Sequence, residues 1–236
     1  MLYRGLTFPA SPMPYFYSNF VATLDGKVQV LEHTESYWPL GSKLDYETLI
    51  ELRTYADVLI HGSTTVLFHP TINSLSKETF HEARKSINKG EILYIAVSTH
   101  PIDDLVPKLA SKHPLVKTMI ITSQNAHVSE KLASNTEIVR LGKEQVDVSL
   151  LPDFLLKRGK KHILVEGGPT LMGSFYRANL IDELFLTLAP KIVGNEKGKT
   201  LSMVEGFLYP PSKVPSYDLV SCLPIENEVY LRYRKQ

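Results

Sequence analysis

Ile163-Leu-Val-Glu-Gly-Gly-Pro-Thr-Leu-Met172 is an apolar, β-branched run that enters two glycines and then, through a proline, a segment able to form a helix. It reads as strand, tight turn, helix. Gly167 and Gly168 let the backbone turn sharply and approach a ligand closely. Pro169 suits the first helical position, and the free N–H groups at the helix start attract phosphate. The same glycines would also serve a plain strand-to-helix turn, so the segment alone leaves both roles open.

A second turn of this kind lies upstream, in Val58-Leu-Ile-His-Gly-Ser-Thr-Thr65, where a buried-looking strand ends at Gly62 and a cluster of hydroxyls that includes Thr65. Two such turns at the carboxyl ends of strands in one open sheet can face a common crevice, where ligands of α/β proteins bind. Further strands are expected at Tyr15 to Ala22, Asp57 to His61, Ile92 to Ser98, Val116 to Thr122, Glu137 to Leu141 and His162 to Glu166. Helices are expected from Lys43 to about Tyr55, started by the Ser42–Asp45 signal, from Lys77 to Asn88, from Asp104 to Lys112, from Ser149 to Arg158, and from Pro169 to Asn179. Continuously apolar runs such as Ile163-Leu164-Val165 fit inner parallel strands covered on both faces. Glu183 to Ala189 is another strand, and Tyr217 to Leu223 and Glu228 to Tyr233 form an antiparallel terminal hairpin. The Gly-, Pro- and Lys-rich stretch from Val193 to Ser216 reads as a long surface loop. The fold class is therefore α/β: a doubly wound, mostly parallel sheet with a C-terminal antiparallel hairpin, in one domain spanning 1–236.

Composition narrows the function. Twenty-six basic and 25 acidic residues give a formal charge of +1, without the basic excess that nucleic acid or an anionic membrane would select, so a small-molecule partner is expected. Cys222 is the only cysteine, which rules out an intrachain disulfide and a cysteine zinc site; no metal is expected. The N-terminal stretch is broken by prolines and no run is apolar enough to span a bilayer, so a soluble, cytoplasmic protein is expected.

Asn19-Phe-Val-Ala-Thr-Leu-Asp-Gly-Lys27 carries a strand into an Asp-Gly turn, and Trp38, the only tryptophan, lies in a polar stretch where packing and a planar ligand are equally good explanations. Taken together, AxLDGK at Ala22 to Lys27, SxW at Ser36 to Trp38, Glu51 to Val66 and Leu164 to Gly194 resemble the riboflavin-biosynthesis pyrimidine reductases, whose fold is dihydrofolate-reductase-like. The resemblance is strongest in the last block and fades between Ser98 and Leu156. It implies a reductase that uses NADPH to convert the ribosylamino group of a phosphorylated aminopyrimidine to its ribityl form, by hydride delivery to the sugar C1′.

Carried over residue by residue, the resemblance places Ala22, Trp38, Gly62, Thr65, His69, Ser98 and Gly167 through Leu171 with the cofactor, and Ser36, Arg53 and Glu166 with the substrate, the guanidinium suited to phosphate and the carboxylate to pyrimidine donors. No arginine pair marks a 2′-phosphate pocket, so NADH stays open beside NADPH. A homodimer is expected from the resemblance and the terminal strands. The sequence also departs from the family. In Leu67-Phe-His-Pro-Thr-Ile-Asn-Ser-Leu-Ser76, His69 occupies a place where an acidic residue is usual, and the arginine expected to hold the substrate phosphate is missing. Lys77, at an expected helix start, is the replacement of choice, with Arg84 and Lys85 expected to be solvated. Two other readings compete: reduction of dihydrofolate, with Asp45 orienting the pterin, and a nucleotide-binding protein without turnover.

Overall fold

A computed structural model describes residues 2–30, 40–69, 71–196 and 198–236. The chain begins with β1 (Tyr15–Thr23), β2 (Gln29–Val30), α1 (Lys43–Tyr55), β3 (Val58–Gly62), α2 (Ser63–Phe68), α3 (Thr71–Leu75) and α4 (Glu78–Ser86). It continues through β4 (Ile92–Val97), α5 (Leu105–Leu109), β5 (Val116–Thr122), α6 (Glu130–Asn135), β6 (Glu137–Arg140), α7 (Leu151–Lys157), β7 (His162–Val165) and α8 (Pro169–Arg177). It closes with β8 (Glu183–Ala189), β9 (Thr200–Leu201), β10 (Tyr217–Ile225) and β11 (Glu228–Lys235).

One nine-stranded sheet runs β10-β11-β8-β1-β7-β3-β4-β5-β6. The strands from β8 to β6 are parallel, β11 adds antiparallel to β8, and β10 adds antiparallel to β11. Sheet residues alternate between two cores. One side buries Phe16, Ile60, Ile163 and Val165 with Met172 and Phe175 of α8; the other buries Tyr17, Leu59, Tyr94 and Leu164 with Leu52 of α1 and Phe80 of α4. Full burial on both faces explains why these strands read as unbroken apolar runs.

The connection order makes a switch point at β7. After β1 the chain moves outward through β3, β4, β5 and β6, then returns to lay β7 between β1 and β3. Strand β7 stops at Val165, level with Ser18 of β1 and Ile60 of β3, while both neighbours continue to Thr23 and Gly62. The Glu-Gly-Gly turn therefore lies in a notch between two longer strands, the location where ligands of open α/β sheets bind.

Helix α1 is held at both ends. The Ser42 hydroxyl accepts from the Leu44 and Asp45 amides, and Ser42 itself donates to Glu228 on β11, through its amide at 2.7 Å and its hydroxyl at 2.6 Å. At the other end Arg84, expected to be solvated, is completely buried: its guanidinium donates to the carbonyls of Thr54 and Ala56 (3.0 and 2.6 Å) and to those of Gly90 and Glu91. The carbonyls that α1 cannot use internally are what make that burial tolerable. Lys85 is exposed, as expected.

Three short helices, α2, α3 and α6, were not foreseen. The stretch after Val193 also differs from a surface loop: Met203, Val204, Phe207 and Tyr209 pack on the core, Thr200–Leu201 pairs with Gln29–Val30, and the Glu205 amide donates to the Pro169 carbonyl. This stretch covers α8 so closely that a Cβ at Gly173 would lie 1.8 Å from the Glu205 carbonyl oxygen.

Candidate active site

The two glycine turns meet. An added Cβ at Gly62 would touch Leu171 at 3.8 Å, one at Gly168 would touch the Thr65 hydroxyl at 3.6 Å, and one at Gly167 would collide with Leu171 at 2.6 Å. Helices α2 and α8 thus begin side by side, with Gly62 and Gly168 as their N-caps and no side chain capping either start. Free N–H groups and the Thr65 hydroxyl line one rim of the notch, which is donor chemistry suited to a phosphate. Ala22, near the end of β1, and Ser98, just after β4, are both buried; β1 borders the notch, and β4 lies one strand beyond its other border, β3. Pro169 and Thr170 form the first turn of α8. Ser36 and Trp38 lie outside the described residues.

Beneath the turns, on the side of the sheet covered by α1, the polar residues form one buried network. Arg53 grips Glu166 with two nitrogens, Nε to Oε1 at 3.0 Å and Nη2 to Oε2 at 2.5 Å, and its Nη1 donates to the Ser74 hydroxyl at 3.0 Å. His61 Nε2 meets Glu166 Oε2 at 3.0 Å, and its Nδ1 meets the Tyr94 hydroxyl at 3.0 Å. A bidentate, charge-assisted pair suits the planar guanidinium.

Burial would raise the Glu166 carboxyl, but the Arg53 charge and hydrogen bonds from His61 and Arg53 outweigh it and hold the group down to about 2. Burial lowers His61, reinforced by the charges of Arg53 and His69, against the pull of Glu166. His69, the C-cap of α2, is likewise lowered by burial and by Arg53. The network therefore carries one buried cation, one buried anion and histidines held toward their neutral form.

Lys77 is brought to a different place. It precedes α4 as its N-cap and lines a cavity of about 410 Å³ between α1 and α4, together with Ser74, Glu47, Glu51 and Phe80. Ser74 is the link, since it faces that cavity and accepts from Arg53. Asp45, the carboxylate of the dihydrofolate reading, is directed elsewhere: it packs against Gly41 and interacts with Thr187 and Glu228 toward β8 and β11. The sequence reading missed His61 and Tyr94. The signal was present in Val58-Leu-Ile-His61, because a polar residue inside a buried strand must find a partner.

Among the described residues no group of His, Cys, Asp and Glu could hold a metal ion, and no helix is long and apolar enough to cross a membrane.

The family model described as the RibD C-terminal domain matches residues 14–231. An Aquifex aeolicus protein named 2,5-diamino-6-ribosylamino-4(3H)-pyrimidinone 5′-phosphate reductase is 31% identical over 201 residues, covering 82% of this chain and 84% of that protein. A protein of the same name from Archaeoglobus fulgidus is 26% identical, covering 83% and 89%. Among solved structures, the riboflavin biosynthesis reductase of Saccharomyces cerevisiae matches at a TM-score of 0.64 and 18% identity, covering 99% of this chain and 94% of that one. The Thermotoga maritima diaminohydroxyphosphoribosylaminopyrimidine deaminase/5-amino-6-(5-phosphoribosylamino)uracil reductase matches at 0.68 and 20%, and this chain covers 57% of it. At these identities the solved structures establish the fold alone. The family model spans the sheet from β1 into β11, including both glycine turns, Arg53 and Glu166: the chain belongs to the RibD C-terminal domain family, the reductases of riboflavin biosynthesis.

Proposed function

We propose that the chain reduces a phosphorylated ribosylaminopyrimidine to its ribitylamino form with NADPH, in the notch at the end of β7. The observation that carries this reading is the meeting of the Gly62–Thr65 and Gly167–Leu171 turns directly beside the buried Arg53–Glu166 pair. A dinucleotide bound there would supply the hydride; the sugar C1′ accepts it, the C1′–O4′ bond opens, and the ring oxygen takes a proton. The residues present fit such a cofactor. Gly168 adds no side chain to the rim, Thr65 offers a hydroxyl, and two uncapped helix starts offer amides.

The protein's own contribution is positioning and exclusion of water. Ala22, Ser98 and His69 wall the cofactor side, and Glu166 faces the donors of the pyrimidine. Oε2 of Glu166 already accepts from both Arg53 and His61, whereas Oε1 takes a single bond at good distance among the described residues, from Arg53 Nε. A carboxylate can accept about four hydrogen bonds, so Oε1 keeps room for a pyrimidine N–H. Arg53 is spent on Glu166, so the substrate phosphate needs another cation, and Lys77, reached across Ser74, is the one proposed. Ser36 is proposed to bind the substrate and Trp38 the cofactor. The working unit is proposed to be a cytoplasmic homodimer.

The test is oxidation of NADPH and NADH by the purified protein with the phosphorylated ribosylaminopyrimidine, beside dihydrofolate. Turnover with the pyrimidine and NADPH is expected. Turnover only with dihydrofolate, or cofactor binding without turnover, would replace this reading with one of the two competing ones.

A further inference from the structure

His61 is 1% exposed, sits in the middle of the sheet and is not used by the reduction itself. The groups facing it come from four elements: Glu166 after β7, Arg53 on α1, Tyr94 on β4 and His69 after α2. Its hydrogen bonds can be assigned. An ionised Glu166 only accepts, so the proton on the facing nitrogen belongs to His61, at Nε2. Burial and the nearby Arg53 charge keep the ring neutral, so Nδ1 is a lone pair and Tyr94 must donate its hydroxyl proton there. Tyr94 can do so because burial raises its phenol far above its ordinary value.

We propose that His61 is a positioning residue: with its tautomer fixed by Tyr94, its Nε2–H holds Oε2 of Glu166 and so turns Oε1 toward the substrate. This rests on the reading of Glu166 given above. Arg53 holds the carboxylate as a fork, Nε to Oε1 at 3.0 Å and Nη2 to Oε2 at 2.5 Å, and His61 adds a further donor to Oε2 from the neighbouring strand β3, which leaves Oε1 the oxygen with capacity to spare.

Three replacements separate positioning from packing. Gln places an amide N–H where Nε2–H stands, Asn places one only near Nδ1, and Leu fills the space without a donor. His61→Gln is expected to keep the pyrimidine KM within about threefold, whereas His61→Asn and His61→Leu raise it about tenfold or more, with NADPH affinity unchanged. Nitrogen-resolved NMR of the wild-type imidazole at about pH 7.5 is expected to show a neutral ring with the proton on Nε2. A charged ring at that pH, a proton on Nδ1, or a Leu variant with the wild-type KM would overturn the proposal. The NMR result stands without turnover, so it decides the His61 bond even if some other substrate is reduced and the pyrimidine reading fails. Should His61→Leu not fold, the wild-type spectrum and the Gln against Asn comparison still decide it.

Discussion

Arg53, on α1, and Glu166, at the end of β7, are bound through two nitrogens and two oxygens, with both side chains at most 7% exposed. The pair ties the helix over one face of the sheet to the turn where the proposed cofactor site begins. The Arg53 charge is thereby balanced by the Glu166 carboxylate.

Because each charge depends on the other, removing one should cost more than removing both. Arg53→Ala leaves a carboxylate buried and should destabilise by about 3–5 kcal/mol. The Arg53→Met/Glu166→Leu double variant should recover most of that loss in urea unfolding while remaining inactive on the pyrimidine. Additive losses in the two singles would mean that the pair is not coupled.

The two neighbouring glycines should respond differently. A Cβ at Gly168 meets only the Thr65 hydroxyl, at ordinary contact distance, so Gly168→Val should fold normally yet obstruct the phosphate path. Gly167→Ala must displace Leu171, and overpacking of that kind costs about 1–3 kcal/mol. The check is a thermal melt of each variant beside an NADPH fluorescence titration. Unchanged NADPH affinity in folded Gly168→Val would place the cofactor elsewhere.

Acid should act through two carboxylates with opposite signs. Glu166 is held down to about 2, so its contribution to stability is complete above its ordinary value of 4.5 and is lost as the pH falls toward 2. Burial raises Asp45 from 3.8 to about 6, against a hydrogen bond from Thr187, and one of its oxygens is buried without a partner. Its ionisation therefore costs stability as the pH rises from about 4 to 6. Asp45→Asn should melt higher than wild type at about pH 7.5 and show little difference at about pH 4. A difference independent of pH would contradict the assignment.

Lys77→Ala should impair turnover of the phosphorylated pyrimidine and leave that of its dephosphorylated counterpart unchanged. Lys77 is the only cation lining its cavity among the described residues, where Glu47 and Glu51 oppose it, so the comparison is sensitive to charge. Equal wild-type rates on both compounds would mean that the substrate carries no phosphate.

How far the sequence could be read follows from how local each signal is. Strand periodicity, the Ser42 cap and the Gly-Gly-Pro turn are local, and the parallel sheet, α1 and the start of α8 appear where those signals put them. The two glycine turns were legible as partners because fold geometry brings strand ends together. The Arg53–Glu166 and His61–Glu166 bonds join residues 113 and 105 positions apart, and no local pattern announces them. Arg84 misled for the same reason. A basic residue in a helix reads as solvated unless the open carbonyls of a distant helix end are known to lie above it. The Val193 to Ser216 stretch lacks periodicity, so only the structure reveals that Tyr209 and Met203 pack on the core.

The most direct test of the central claim is product analysis after incubation with NADPH and the phosphorylated ribosylaminopyrimidine, using cofactor deuterated at the transferring carbon. The account predicts a ring-opened ribityl chain that has gained one deuteride at C1′ and one solvent proton. Recovery of the ribosyl compound unchanged from folded, NADPH-binding protein would contradict it.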